Sequence, residues 1–182
     1  MAKRRGTDAV TDLGRRFIDQ SRAYLGNDFH RKIRGALEQV SDEDIWWRPN
    51  DASNSIGHLL LHMSGNLRQW VVSGLGGAPD DRTRDREFAP DDQPNRAALL
   101  DRLAGVIGEA DDVLARLDPA TLAASRTIQG REVTGLEALY HAVEHFGMHT
   151  GQILYIVKMR VGRDLGFYEV VDGIPRARWS RF

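Results

Sequence analysis

The chain contains no cysteine. That absence excludes a disulfide scaffold, a thiolate zinc site and a cysteine nucleophile, and it makes an intracellular, cytoplasmic location the expectation. No uninterrupted apolar run reaches the length of about 18 residues that a spanning helix needs, so no membrane partner is expected. The opening Met1-Ala2-Lys3-Arg4-Arg5-Gly6 is basic, but no apolar stretch follows it, and it does not read as a secretory signal. Charge of neither sign is in excess: 25 Lys and Arg face 26 Asp and Glu, a formal net charge of −1. A polyanion binder is ordinarily basic, so no nucleic-acid partner is expected either. A GxSxG elbow, a phosphate loop and a dinucleotide fingerprint are also missing. What remains is a chain of 182 residues, long enough for one domain with a proper core.

Its apolar residues recur at helical spacing in four segments. In the first, from about Asp8 to Val40, Leu13, Phe17, Tyr24, Phe29, Ile33, Leu37 and Val40 form a stripe, with a bend expected at Gly26-Asn27. Ser41 caps a short acidic turn, and Trp46-Trp47 before Pro49 read as a plug at one end of the core. A second helix, capped by Ser53 or Asn54, runs to about Ser73 with Ile56, Leu59, Leu60, Met63, Leu67 and Trp70 inward, and stops at the glycines after it. Residues 78–93 are charged, with Phe88 as the one anchor, and read as a surface crossover long enough to join parallel helices, a lid over a site being the alternative. Pro94 opens a third helix carrying Leu99, Leu103, Val106, Ile107 and Leu114, which Asp118-Pro119 ends. A small hairpin is expected around Gln129-Gly130. Thr134, with Glu137 three residues on, then starts a fourth helix from Gly135 to about Val161. The expectation is an all-α four-helix bundle over residues 8–162, with a tail, 163–182, that packs through Phe167, Tyr168, Val170, Val171, Ile174 and Trp179.

Five of the six histidines fall in two of these helices: His58 and His62 in the second, His141, His145 and His149 in the fourth. His145 and His149 are i and i+4, and side chains so spaced share a helix face. A divalent ion that does chemistry needs roughly three protein ligands and an open position. His62, which falls within the inward arc of the second helix, together with His145 and His149 supplies that number. An ideal helix drifts about 40° per four residues, so His141, His145 and His149 cannot all point inward equally. His58 and His141 are therefore expected beside the site or at its entrance, with ordinary, partly exposed histidines as the alternative, and Gln152, close to the face of His149, is expected to hold an imidazole or a water. Glu144 points about 100° away from His145 and is a poor base for this site. Three neutral nitrogens leave the charge of such an ion uncompensated, so it lowers the pKa of a bound water or thiol and polarises oxygens.

The set Asn54-Ser55-Ile56, His62-Met63 and His145-x-x-x-His149-Thr150-Gly151-Gln152-Ile153 resembles the DinB-like (damage-inducible) superfamily, in particular a subgroup with this NSI…H and HxxxHxGQI signature. The resemblance spans residues 10 to 162, and the two motifs are specific only as a pair in this order. It implies an up-up-down-down bundle, an ion on His62, His145 and His149 with zinc or nickel usual, and homodimers. Better-understood relatives are thiol-dependent transferases or isomerases that use low-molecular-weight thiols such as bacillithiol or mycothiol, and others are described as metal hydrolases. The expected function is metal-activated transfer of such a thiol to a small electrophilic substrate. Metal-dependent hydrolysis, and a non-catalytic stress-associated bundle that the ion merely staples, are the alternatives. An open coordination position favours catalysis, whereas a fourth protein ligand such as His141 favours the staple.

Overall fold

The structure, a computed structural model, describes residues 2–89 and 92–178. The first rod is α1 (Ala2–Arg22), a π-helical segment (Ala23–Phe29) and α2 (His30–Leu37) in unbroken succession. The irregularity expected at Gly26-Asn27 is thus a wide turn. It also explains why the expected stripe fails in places. A π turn takes up an extra residue, so a stripe of period 3.6 cannot stay inward on both sides of it. Ile18, Leu25, Ile33 and Leu37 are buried, whereas Leu13 is 69% and Tyr24 41% exposed.

Ser41 accepts from the backbone of Asp44, whose carboxylate accepts in return from the backbone of Ser41, and this capping box starts the single turn α3 (Asp42–Ile45). Trp46 and Trp47 follow as the expected plug. The Trp46 indole donates to the carbonyl of Pro94 at 3.1 Å, and the Arg160 guanidinium lies 4.7 Å above the Trp47 ring.

The second rod is α4 (Ile56–Leu67) followed by a second π-helical segment, Arg68–Ser73. Its cap is Ser55, rather than Ser53 or Asn54. Then come α5 (Asp85–Phe88), a turn inside the crossover, and α6 (Arg96–Arg116). Asn95 caps α6, so that helix begins just after Pro94 instead of on it. A 3-10 turn at Pro119–Ala123 leads to the hairpin of β1 (Ser125–Ile128) and β2 (Arg131–Thr134). Its two turn residues, Gln129 and Gly130, both have positive φ, as the twist of a two-residue hairpin demands. The long helix α7 (Gly135–Val161) has the expected bounds. Thr134 and Glu137 form its capping box, and Gly162, at φ 64°, closes it in the left-handed conformation that a side chain disfavours.

A second hairpin, β3 (Tyr168–Val171) with β4 (Ile174–Ala177), ends the described chain. It corrects the reading of the tail. Leu165 and Phe167 pack on the core, but Tyr168, Val170 and Ile174 are exposed, because on a two-stranded ribbon with no layer over it only one end meets the bundle. Trp179 lies outside the described residues.

The fold is mostly helical with small strand hairpins. α4 packs on both α6 and α7, α1 packs on α6, and α2 on α7. With neighbours on two sides, α4 buries nearly its whole circumference: Ile56, Leu59, Leu60, Leu61, Met63 and Leu67 are all in the core. Each such side chain contributes about 1.5–3 kcal/mol relative to an exposed one. That packing fixes the azimuth of His62 and faces it toward α7. Among the described residues no helix is long and apolar enough to cross a membrane.

Candidate metal centre

His145 and His149 sit one turn apart in the middle of α7, a helix of 27 residues capped at both ends, far from any fraying terminus. His62 lies mid-way along α4, which packs against α7. The three rings meet through the same atom: Nε2 of His145 is 3.0 Å from Nε2 of His62 and 3.1 Å from Nε2 of His149. One ligand atom from each residue lies within 4.8 Å of the other two. His62 and His149 are buried, and His145 is partly open.

The far nitrogens of the two buried rings are tied down. Nδ1 of His149 donates to Oε1 of Gln152 at 2.7 Å, the role expected of Gln152. Nδ1 of His62 lies 2.8 Å from Oε2 of Glu87. A carboxylate can only accept, so this nitrogen carries the proton and Nε2 of His62 presents a lone pair to the cluster. Glu87 is 5% exposed and is gripped by Arg82, whose Nε donates to Oε1 at 2.7 Å and Nη2 to Oε2 at 2.8 Å. Arg82 also reaches Oε1 of Gln69 at 2.8 Å. The Phe88 ring lies 4.9 Å from that of His62.

These residues correct the reading of 78–93 as a plain surface connection. Glu87 and Arg82 were not expected at the site, because a carboxylate in a run of mixed charges looks solvated. One signal was present. Gly65, three residues past His62, is a small gap in a helix of large residues, and a Cβ there would meet Glu87 Oε1 at 2.0 Å. That close approach is what a glycine permits.

Burial, followed by the neighbouring His149, His62, His141 and Arg82, pushes the His145 imidazole down to about 3. Burial likewise lowers His149, partly countered by Gln152. Burial alone would raise the Glu87 carboxyl, but hydrogen bonds from Arg82 and His62 outweigh it and hold the group below its ordinary value. Burial thus favours neutral rings at His145 and His149, beside an ionised Glu87 carboxylate.

The other expected neighbours divide. His141 is beside the cluster: its ring is 5.4 Å from that of His145 and 4.1 Å from that of Trp70, and its Nε2 is 3.5 Å from Nδ2 of Asn66. It does not join the three ligand atoms. His58 does not serve the site. Its Nδ1 takes the backbone N–H of Ser55 at 3.1 Å, closing the capping box of α4, and its ring stands edge-on to Trp46. Three residues after the cap, a side chain turns back toward the helix start and away from the middle of the bundle. Glu144 is exposed, as expected.

The donor set fits a metal ion. Metal–imidazole bonds run about 2.0–2.1 Å, and two nitrogens 3.0–3.1 Å apart then subtend an angle of about 95° at a shared ion. The outward hydrogen bonds to Gln152 and Glu87 are those that ligating histidines ordinarily make. Among the described residues no fourth His, Asp or Glu atom belongs to the group.

The mostly helical fold, with three buried or half-buried histidines facing one another between α4 and α7, is shared with a solved DinB-like structure. The chain belongs to the family described as protein of unknown function (DUF1572), which it matches over residues 12–174. Among solved structures it is similar to a DinB-like protein, YjoA, of Bacillus subtilis, at 19% identity and a TM-score of 0.61, over 81% of this chain and 96% of that one. No curated protein matches.

Proposed function

We propose that the chain is a divalent-metal-dependent enzyme, one domain in the up-up-down-down order, whose ion is held by His62, His145 and His149. Zinc and nickel are the ions we favour. The observation that carries this reading is the convergence of three Nε2 atoms without a fourth His, Asp or Glu donor among the described residues, because a set of three leaves room for water or substrate. A divalent ion on these nitrogens supplies Lewis acidity, lowering the pKa of a thiol or water that binds beside it.

The chain's own residues do the rest. Gln152 and Glu87 hold the rings of His149 and His62 with their lone pairs toward the cluster. The Phe88 ring lies tilted against that of His62, 4.9 Å between centroids. Gln152 also lines a cleft of about 720 Å³ with Met148, Tyr155 and Met159 from α7, Leu59 from the first turn of α4, and Asn54 just before that helix. Among the described residues no charged side chain lines it, which suits a small substrate with an uncharged, largely apolar body.

We favour transfer of a low-molecular-weight thiol over hydrolysis. Hydrolysis calls for a free general base, and the carboxylate that meets the histidines, Glu87, is engaged by both His62 and Arg82. Calorimetric titration of zinc- or nickel-loaded protein with bacillithiol and mycothiol tests the reading. Binding that disappears on adding a chelator is expected, and a metal-loaded protein that binds neither thiol overturns the thiol chemistry.

A further inference from the structure

Within the crossover the charged side chains of Asp80, Asp81, Arg84, Asp85 and Arg86 are exposed, while those of Arg82 and Glu87 are each only 6% exposed. Burying an ion pair costs each partner its hydration, and an apolar pair of similar volume is often no less stable. Stability therefore does not explain why this pair is buried against Gly65. What the pair touches does: Oε2 of Glu87 receives both the Nδ1–H of His62 and an N–H from Arg82.

We propose that Glu87 is a positioning residue for the metal ligand His62, and that Arg82 acts through Glu87 by holding its carboxylate against the ring of His62. This rests on the metal-site reading above. Arg82 donates from Nε to Oε1 and from Nη2 to Oε2, so both oxygens of Glu87 are pinned and Oε2 stays in line with Nδ1 of His62. Nη2 of Arg82 lies 3.2 Å from His62 Nδ1 as well, but both are donors, and Oε2 satisfies both. The crossover thereby fixes the one ligand that α7 does not supply.

The test compares wild-type protein, Glu87→Gln and the double variant Arg82→Met/Glu87→Leu. The double variant replaces the ion pair with apolar volume and so leaves no unpaired buried charge. Cobalt(II) affinity is measured by competition with a chelator, and exchangeable, hyperfine-shifted imidazole N–H resonances are recorded on the cobalt protein. The double variant is expected to bind cobalt about 10–100-fold more weakly and to lose one slowly exchanging N–H resonance. Glu87→Gln, which keeps an acceptor oxygen, is expected to retain that resonance and most of the affinity. Should the double variant misfold, Glu87→Gln decides, because loss of its resonance with the fold intact overturns the proposal. Wild-type affinity and resonances in the folded double variant also overturn it, and leave the metal site standing. Wild-type protein that binds no cobalt removes both readings together.

Discussion

Gly65→Ala is the sharpest structural perturbation available at this site. The new methyl would sit 2.0 Å from Oε1 of Glu87, 2.9 Å from its Cδ and 3.0 Å from Nε of Arg82. Neither side chain can move aside without giving up hydrogen bonds, Glu87 those with His62 and Arg82, and Arg82 those with Glu87 and Gln69. Two effects oppose. Alanine is favoured over glycine inside a helix by about 0.8–1 kcal/mol. Separating a buried, hydrogen-bonded ion pair costs about 3–5 kcal/mol. The second wins, and the net loss of about 2–4 kcal/mol lowers the melting temperature of a chain this size by roughly 4–16 °C. Gly105→Ala on α6 is the control. A Cβ there meets nothing within 4 Å, so only the helix propensity changes and the midpoint rises by roughly 2–4 °C. Thermal unfolding followed by circular dichroism reads both. A Gly65→Ala protein as stable as wild type, or more so, refutes the packing of Glu87 against α4.

The metal-free protein is expected to lose stability on acidification, because His145, His149 and His141 are all held below the ordinary histidine value. The unfolded chain takes up these protons near pH 6.5 while folded His145 refuses its proton until about 3, so stability falls across that window and is fully present above it. Each such histidine contributes a slope of up to about 1.4 kcal/mol per pH unit. Equal urea midpoints at pH 7.5 and pH 5 would contradict this. Ser55→Ala removes the acceptor for the backbone N–H of His58 and should cost about 1 kcal/mol in urea unfolding without touching metal affinity. A change in metal affinity would show that the cap is coupled to the cluster. Gln152→Leu frees Nδ1 of His149 and should weaken zinc binding about 10–100-fold in a chelator competition, and unchanged binding would dismiss Gln152 as a support.

How much of this could be read beforehand follows from which forces act locally. α7 was legible to the residue, because Thr134, Glu137 and Gly162 act on their own neighbours and the His145–His149 spacing is a property of one helix. His62 was legible because α4 leaves no other inward histidine at mid-depth. The first rod was legible in extent but not in burial, since the π-helical turn at Ala23–Phe29 shifts the stripe without any proline or break in the pattern to announce it. The sequence left His58 open between a place beside the site and an ordinary histidine, because a histidine can close a capping box like a carboxylate or amide, a local competition that spacing alone does not reveal. Arg82 and Glu87 were illegible for the opposite reason. Their burial exists only after the crossover folds back on α4, so nothing in residues 78–93 distinguishes them from the exposed charges beside them.

Elemental analysis of untagged protein after loading with zinc or nickel and exhaustive dialysis tests the central claim most directly. One equivalent per chain in the wild type, and none in a variant with His62, His145 and His149 all replaced by alanine, is the expected result. A wild-type protein that retains no metal, or a triple variant that retains as much, contradicts it.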